Sequence, residues 1–454
     1  MKRKRLLCAI LILAMAASTA GCGQSYDSAA RGAGSPAEGI AEDGAFNGTY
    51  GAATKGDSFT AETEAYDDSY DADVGIDREY DAADVLEGAV ADAGDSVGTV
   101  RAATDDKAEK VESEVNLPEA GQLTAGEWSD NENWGFFSNL VNSGTIEFPS
   151  FGINPTNRTA VTVKKKDGTA IVNAQARLLD KDGNVLWSGV TDKQGIAYLF
   201  NQGNDEAAAV EIESQGKKQK YDLNSSGGNE QSEKKADNQE LEITFDGEDK
   251  LYKSMDIMFI LDTTSSMSDE MLFLQSEFSA ITKAVGTKDT RYAVNFYRDD
   301  GDEYVTKCSD FTSDVKELQK KLNGESAEGG GDYPEAVDKI LQETMFDGGW
   351  NDESVKIAFL IFDAPPHEGT EKVILSAVEE AAKKGVRIVP IVASDNDRDT
   401  ELFGRALAIT TGGDYVFLTD DSGIGNSHTE PIIGSYDVRK LYDIIIDVIN
   451  DYRQ

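Results

Sequence analysis

Histidine and cysteine are nearly missing from this chain, with two of the first and three of the second in 454 residues. With only His367 and His428 present, imidazole acid/base chemistry has few candidates, and a zinc site built from several His or Cys ligands is close to excluded. No disulfide framework is available either: Cys8 lies in an apolar leader, Cys22 sits just behind it, and only Cys308 falls in a region that reads as folded, where it is expected as a small buried residue on a strand. Positive charge is short as well. Forty-three Lys and Arg face 84 Asp and Glu, a formal net charge of -41. That balance excludes a nucleic-acid or anionic-lipid surface, because phosphate binding needs a cationic footprint, and it makes cations the natural counterpart.

The apolar stretch Leu6 to Ala17 is too short for a stable membrane span and follows a basic start at Lys2 to Arg5, the layout of a secretion signal. Its end, "TAGC", resembles the lipobox of bacterial lipoproteins, with Thr19 where that pattern usually has leucine. The resemblance implies a lipoprotein signal peptide at residues 1–22 and an acylated Cys22 that holds the protein to the outer face of a membrane. The alternative is ordinary cleavage that leaves Cys22 as a surface thiol. Residues 23–116 are rich in Asp, Glu, Ala and Gly without apolar periodicity, so they are expected to form a disordered acidic tether. As a flexible coil it would reach about 50 to 60 Å.

Order is expected from Leu117. Residues 117–154 carry Trp128, Trp134, Phe136 and Phe137, read as an aromatic-rich segment packing on the next domain. Residues 155–247 alternate apolar and polar positions between "KDGT", "DKDGN" and "DKQG", which supply hairpin turns. This predicts a small antiparallel β-sandwich similar to carboxypeptidase-regulatory or immunoglobulin-like accessory domains, which act mostly as spacers. Turn chemistry accounts for Asp180 and Asp182 without calcium.

From 252 to 454 the pattern changes to continuously apolar strands alternating with helices, the mark of an α/β fold with a doubly wound, mainly parallel sheet covered on both faces. Helices are expected at Met267–Val285, Val315–Leu322, Pro334–Met345, Lys372–Lys384, Thr400–Thr410 and Asp437–Tyr452. In such sheets the crevice lies at the carboxyl ends of the strands. Three polar clusters fall there: Asp262, Thr264 and Ser266 in "FILDTTSSM", Asp332 in "EGGGDYPEAV", and Asp363 in "FLIFDAPPHEG". Together they offer carboxylate and hydroxyl oxygens, the ligand set of a hard divalent cation. A helix cap explains the first cluster alone. "GGGD" lacks the Lys and Ser/Thr of a phosphate loop, and "SDNDRDTE" lacks the Gly and terminal Glu of a calcium loop.

These motifs make the C-terminal part resemble a von Willebrand factor type A (VWA) domain with a metal-ion-dependent adhesion site, over roughly Met255 to Tyr452. The family pattern is Asp-x-Ser-x-Ser, a Thr in a second loop and an Asp in a third. Thr264 replaces one Ser here, and Asp332 stands where the Thr is expected. The resemblance implies Thr264 and Ser266 as inner ligands, Asp262 and Asp363 acting directly or through water, and magnesium as the ion, with manganese or calcium able to substitute. It also implies a protein or surface partner that offers a carboxylate, and no catalysis. Two alternatives stand beside it: a metal-assisted hydrolase using His367 and the same cation, and a cation that only stabilises the fold.

Overall fold

The computed structural model describes residues 117–223 and 237–453, all within one unit that spans 105–454. The leader at 1–22, Cys22 and the tether at 23–116 lie outside the described residues. None of the described helices is long and apolar enough to cross a membrane.

The chain begins with β1 (Thr124–Trp128) and α1 (Trp134–Asn142), followed by β2 (Asn157–Lys164), β3 (Gln175–Asp180), β4 (Val185–Val190), β5 (Ile196–Phe200), β6 (Ala207–Ser214), β7 (Lys217–Asp222) and β8 (Asp237–Thr244). Strands β2 to β8 form a three-stranded sheet, β5-β2-β8, and a four-stranded one, β4-β3-β6-β7. Their alternating apolar residues meet between the sheets, where Trp187 packs edge-on against Phe200 at 5.6 Å. The turn at "DKDGN" is held by Asp180, whose Oδ1 accepts the amides of Asp182 (2.9 Å) and Asn184 (2.7 Å). One pairing departs from the antiparallel expectation: β2 and β8 run parallel, in register from Asn157↔Asp237 to Lys164↔Thr244.

The remainder alternates. It runs β9 (Ser254–Asp262), α2 (Met271–Val285), β10 (Thr290–Tyr297), the short β11 (Thr306–Lys307), α3 (Val315–Asn323), α4 (Val337–Asp347), β12 (Ser354–Phe362), α5 (Glu371–Lys384), β13 (Val386–Val392), α6 (Arg398–Thr411), β14 (Tyr415–Leu418), the short β15 (Arg439–Lys440) and α7 (Leu441–Tyr452). The sheet order is β11-β10-β9-β12-β13-β14-β1-β15, with β10-β9-β12-β13-β14 parallel. Every residue of β12 is buried, as its unbroken apolar sequence requires when helices cover both faces. After β9 the chain crosses to β10 on one side and later returns to β12 on the other. The carboxyl ends of β9 and β12 therefore flank a topological switch point.

The segment expected to pack on the next domain does more than that. It supplies β1, which pairs antiparallel with β14 and β15 inside the large sheet. Behind β1, Asp130 makes a two-pronged ion pair with the fully buried Arg405 of α6, at 2.8 and 2.9 Å. Arg158 of β2 in turn stacks 3.8 Å above the Trp134 ring and donates to the Asn131 carbonyl. Residues 117–154 are thus wedged between the small sheets and the α/β part.

Three helices start later than expected, each for a local reason, while α5 and α6 start one and two residues earlier. α2 begins at Met271, because Ser265–Ser268 form a tight 3-10 turn below Thr264, whose side chain and amide are bonded to Asp262. α4 begins at Val337, because the Glu335 amide donates to the Pro365 carbonyl at 3.0 Å instead of opening the helix. α7 begins at Leu441, because Arg439 and Lys440 pair with β1. Cys308 lies just beyond β11 and is exposed, not buried on a strand.

Candidate functional site

Asp262 is the last residue of β9, level with Tyr297 on β10, and it is fully buried. The chain then turns back on its own side chain: Asp262 Oδ1 accepts the Thr264 amide (2.9 Å) and hydroxyl (2.7 Å). Thr264 Oγ1 lies 3.1 Å from Ser266 Oγ, and Ser266 is exposed, so the hydroxyl pair leads from the buried acid to solvent. Asp363 follows β12 on the neighbouring strand and is 2% exposed.

The glycine loop closes over this corner. Glu328 donates its amide to the Thr263 carbonyl (3.0 Å), and Ser265 Oγ donates to the Gly329 carbonyl (2.7 Å). Gly330 has φ +74°, and a Cβ there would stand 3.0 Å from Glu335 Oε1 and 3.2 Å from Thr264 Cβ. Only glycine gives both the left-handed backbone and the close approach.

Four of the five residues singled out in the sequence come together: Asp262, Thr264, Ser266 and Asp363. Asp332 is exposed, and the carboxylate that this loop turns inward is Glu335, which is 4% exposed. The available signal was the second acid in "GDYPEAV", but nothing in the spacing says which of the two points in.

The electrostatics agree. Burial pushes Glu335 up, with the charges of Asp262, Asp299 and Asp363 adding to it, to about 9. Burial and then the Asp262 charge lift Asp363 to about 8, with the Ser266 hydroxyl pulling the other way. Burial raises Asp262 to about 6 against the hydrogen bonds from Thr264. Asp262 Oδ2, Asp363 Oδ1 and Glu335 Oε2 are buried without a hydrogen-bond partner among the described residues, where no Lys, Arg or His forms an ion pair with these three acids. Buried carboxylates without compensation are costly. Hard oxygen donors with spare lone pairs fit a magnesium-type ion. Among the described residues no three His, Cys, Asp or Glu side chains by themselves form a metal-holding group, so a cation here would need the two hydroxyls as well.

His367 does not join this set. Its Nε2 lies 2.6 Å from Asp299 Oδ1. His428 sits beside Glu270, just ahead of α2, with Nδ1 2.7 Å from Asp420 Oδ1 and Nε2 3.6 Å from Glu270 Oε1. Burial opposes charge on His428, but the two carboxylates outweigh it and raise the imidazole above its ordinary value.

Residues 256–425 match the family model of the von Willebrand factor A domain. This part of the chain is a VWA domain. A curated relative, the putative ariadne-like RING finger protein R811 of Acanthamoeba polyphaga mimivirus, is 26% identical over 184 residues, which are 36% of this chain. The chain spans 18% of the length of that relative. Among solved structures, the conserved hypothetical protein BatB from Bacteroides thetaiotaomicron aligns at 14% identity and a TM-score of 0.32, over 44% of this chain and 98% of that one. An aerotolerance-related membrane protein from Bacteroides fragilis NCTC 9343, carrying multiple mutations to serines, aligns at 13% identity and a TM-score of 0.31, over the same shares. The VWA domain places Asp262 and Asp363 on adjacent strands at the carboxyl edge of its sheet.

Proposed function

We propose that this protein is an extracytoplasmic binding protein whose VWA domain captures a protein or surface ligand through a divalent cation, magnesium by preference. Asp262, Thr264, Ser266 and Asp363 hold the ion, and Glu335, in place of Asp332, supplies the third carboxylate. The bound ion offers a Lewis-acidic position to a carboxylate of the partner. Supporting this reading above all is the trio of buried acids, each with one buried oxygen that has no hydrogen-bond partner among the described residues. The leader adds the second half of the proposal: acylation of Cys22 anchors the protein to the outer face of a membrane, and residues 23–116 act as tether.

The metal-assisted hydrolase reading needs His367 beside the cation, whereas its Nε2 is paired with Asp299 Oδ1 at 2.6 Å. Capture from an envelope extract, in magnesium and in chelator, with the parent and with Asp262→Ala, tests the proposal. A ligand retained only by the parent in magnesium is the expected outcome. Retention that ignores both the chelator and the substitution sinks it, and magnesium that raises the melting temperature with no ligand recovered leaves only the stabilising role.

A further inference from the structure

Resting on that cation site, we infer that the partner presents its carboxylate flanked by Lys or Arg side chains, and that Tyr333 is the anchor that receives one of those cations. Tyr333 is 42% exposed, yet it is not loose. Its hydroxyl donates to the Asp363 carbonyl (3.2 Å), accepts the Asp397 amide (2.9 Å) and lies 2.9 Å from Thr400 Oγ1. A tyrosine tied at its polar end and open along its ring is a rigid contact surface that loses little entropy on binding. Its attachment to the main chain of Asp363 puts that ring at the rim of the cation site.

The charge around it sets what the ring can meet. Glu328, Asp332, Asp395 and Asp397 are all exposed at this edge of the sheet. Most cations near these loops are already paired, Lys339 with Asp300, Lys307 with Glu325, Arg398 with Glu401 and the 4% exposed Arg298 with Glu303, which leaves Lys372 at the start of α5 exposed. A bare carboxylate approaching this rim is repelled before it can reach the ion, over about 10 Å at 0.1 M salt. Basic neighbours on the partner reverse the sign of that encounter. The face of a phenol ring attracts ammonium and guanidinium groups, so Tyr333 and the acidic rim select the same chemistry.

The test uses the full chain with magnesium and four synthetic peptides: a central Asp flanked by Lys, by Gly or by Glu, and a Lys-flanked Asn. Calorimetry first measures magnesium uptake, then peptide affinity at low and high salt. The Lys-flanked Asp peptide should bind tightest, with an advantage that shrinks as salt rises, and the Asn peptide should fail. Tyr333→Ala, in a variant checked for intact magnesium uptake, should weaken the Lys-flanked peptide by about two- to fivefold. Glu328→Lys should strengthen the Gly-flanked one. A protein that takes up magnesium but binds Gly- and Lys-flanked Asp equally, or binds neither, or ignores the loss of the Tyr333 ring, overturns this inference and leaves the cation site standing. Failure to take up magnesium removes the cation site itself, and the inference with it.

Discussion

Glu335→Gln is the substitution whose effect changes sign with the cation. Without metal, Glu335 holds its proton up to about 9, whereas an unfolded glutamate ionises near 4.5. At pH 7.5 the folded state therefore forgoes an ionisation that the unfolded chain gains, across roughly three pH units at about 1.4 kcal/mol each. This sets an upper limit of about 4 kcal/mol. Glutamine occupies the same volume without that penalty. In chelator the variant should melt higher than the parent, by at most about 8 to 16 °C for a domain of this size. In saturating magnesium the order should reverse, because the parent gains a carboxylate that the variant lacks, and magnesium affinity should fall by about 10- to 100-fold. Differential scanning calorimetry of both proteins, with chelator and with magnesium, reads the two effects together. A variant that is less stable in chelator, or whose magnesium dependence equals the parent's, would refute the placement of Glu335 among repelling carboxylates.

Other outcomes follow from the same structure. Raised carboxyl values mean that protons compete with metal: magnesium affinity measured by titration should fall steadily from pH 9 to pH 6, as Glu335 (about 9), Asp363 (about 8) and then Asp262 (about 6) take up protons. For the metal-free protein the sign is opposite, since a group protonated more readily when folded stabilises at low pH; its melting temperature should drop as pH rises from about 4.5 to 9. Asp130→Ala leaves the buried Arg405 guanidinium with Glu401 as its one remaining acidic partner among the described residues, beside the Ile432 carbonyl, and should cost about 3 to 5 kcal/mol in urea unfolding. Gly330→Ala forces a Cβ to 3.2 Å from Thr264 at φ +74° and should lower stability by about 1 to 3 kcal/mol and weaken magnesium uptake in the same preparation. Cys22→Ala should move the protein from the membrane fraction to the soluble one.

The parallel part of the sheet was legible because burial on both faces leaves its trace in nearly every residue of β9, β12 and β13, and an acid after such a run stands out. Asp262 and Asp363 were therefore readable by position. Glu335 was not, since its inward turn depends on a main-chain bond to Pro365, thirty residues on, that no local pattern announces. β1 was hidden for a related reason. "TAGEW" is short, has no clear alternation, and owes its strand geometry to β14, which pairs Ala125 with Leu418. The parallel β2–β8 pair likewise reflects where the chain returns after the four-stranded sheet, and alternation of side chains is the same for either direction. Helix cores were readable from their periodic apolar faces, whereas three starts moved later where a terminal residue had a partner outside the helix.

Isothermal titration of the purified full chain with magnesium chloride, run beside Asp262→Ala, addresses the central claim most directly. Saturable uptake of one ion by the parent, lost in the variant, is the predicted result. Equal heats from the two proteins, or no uptake by the parent of magnesium, manganese or calcium, would contradict it.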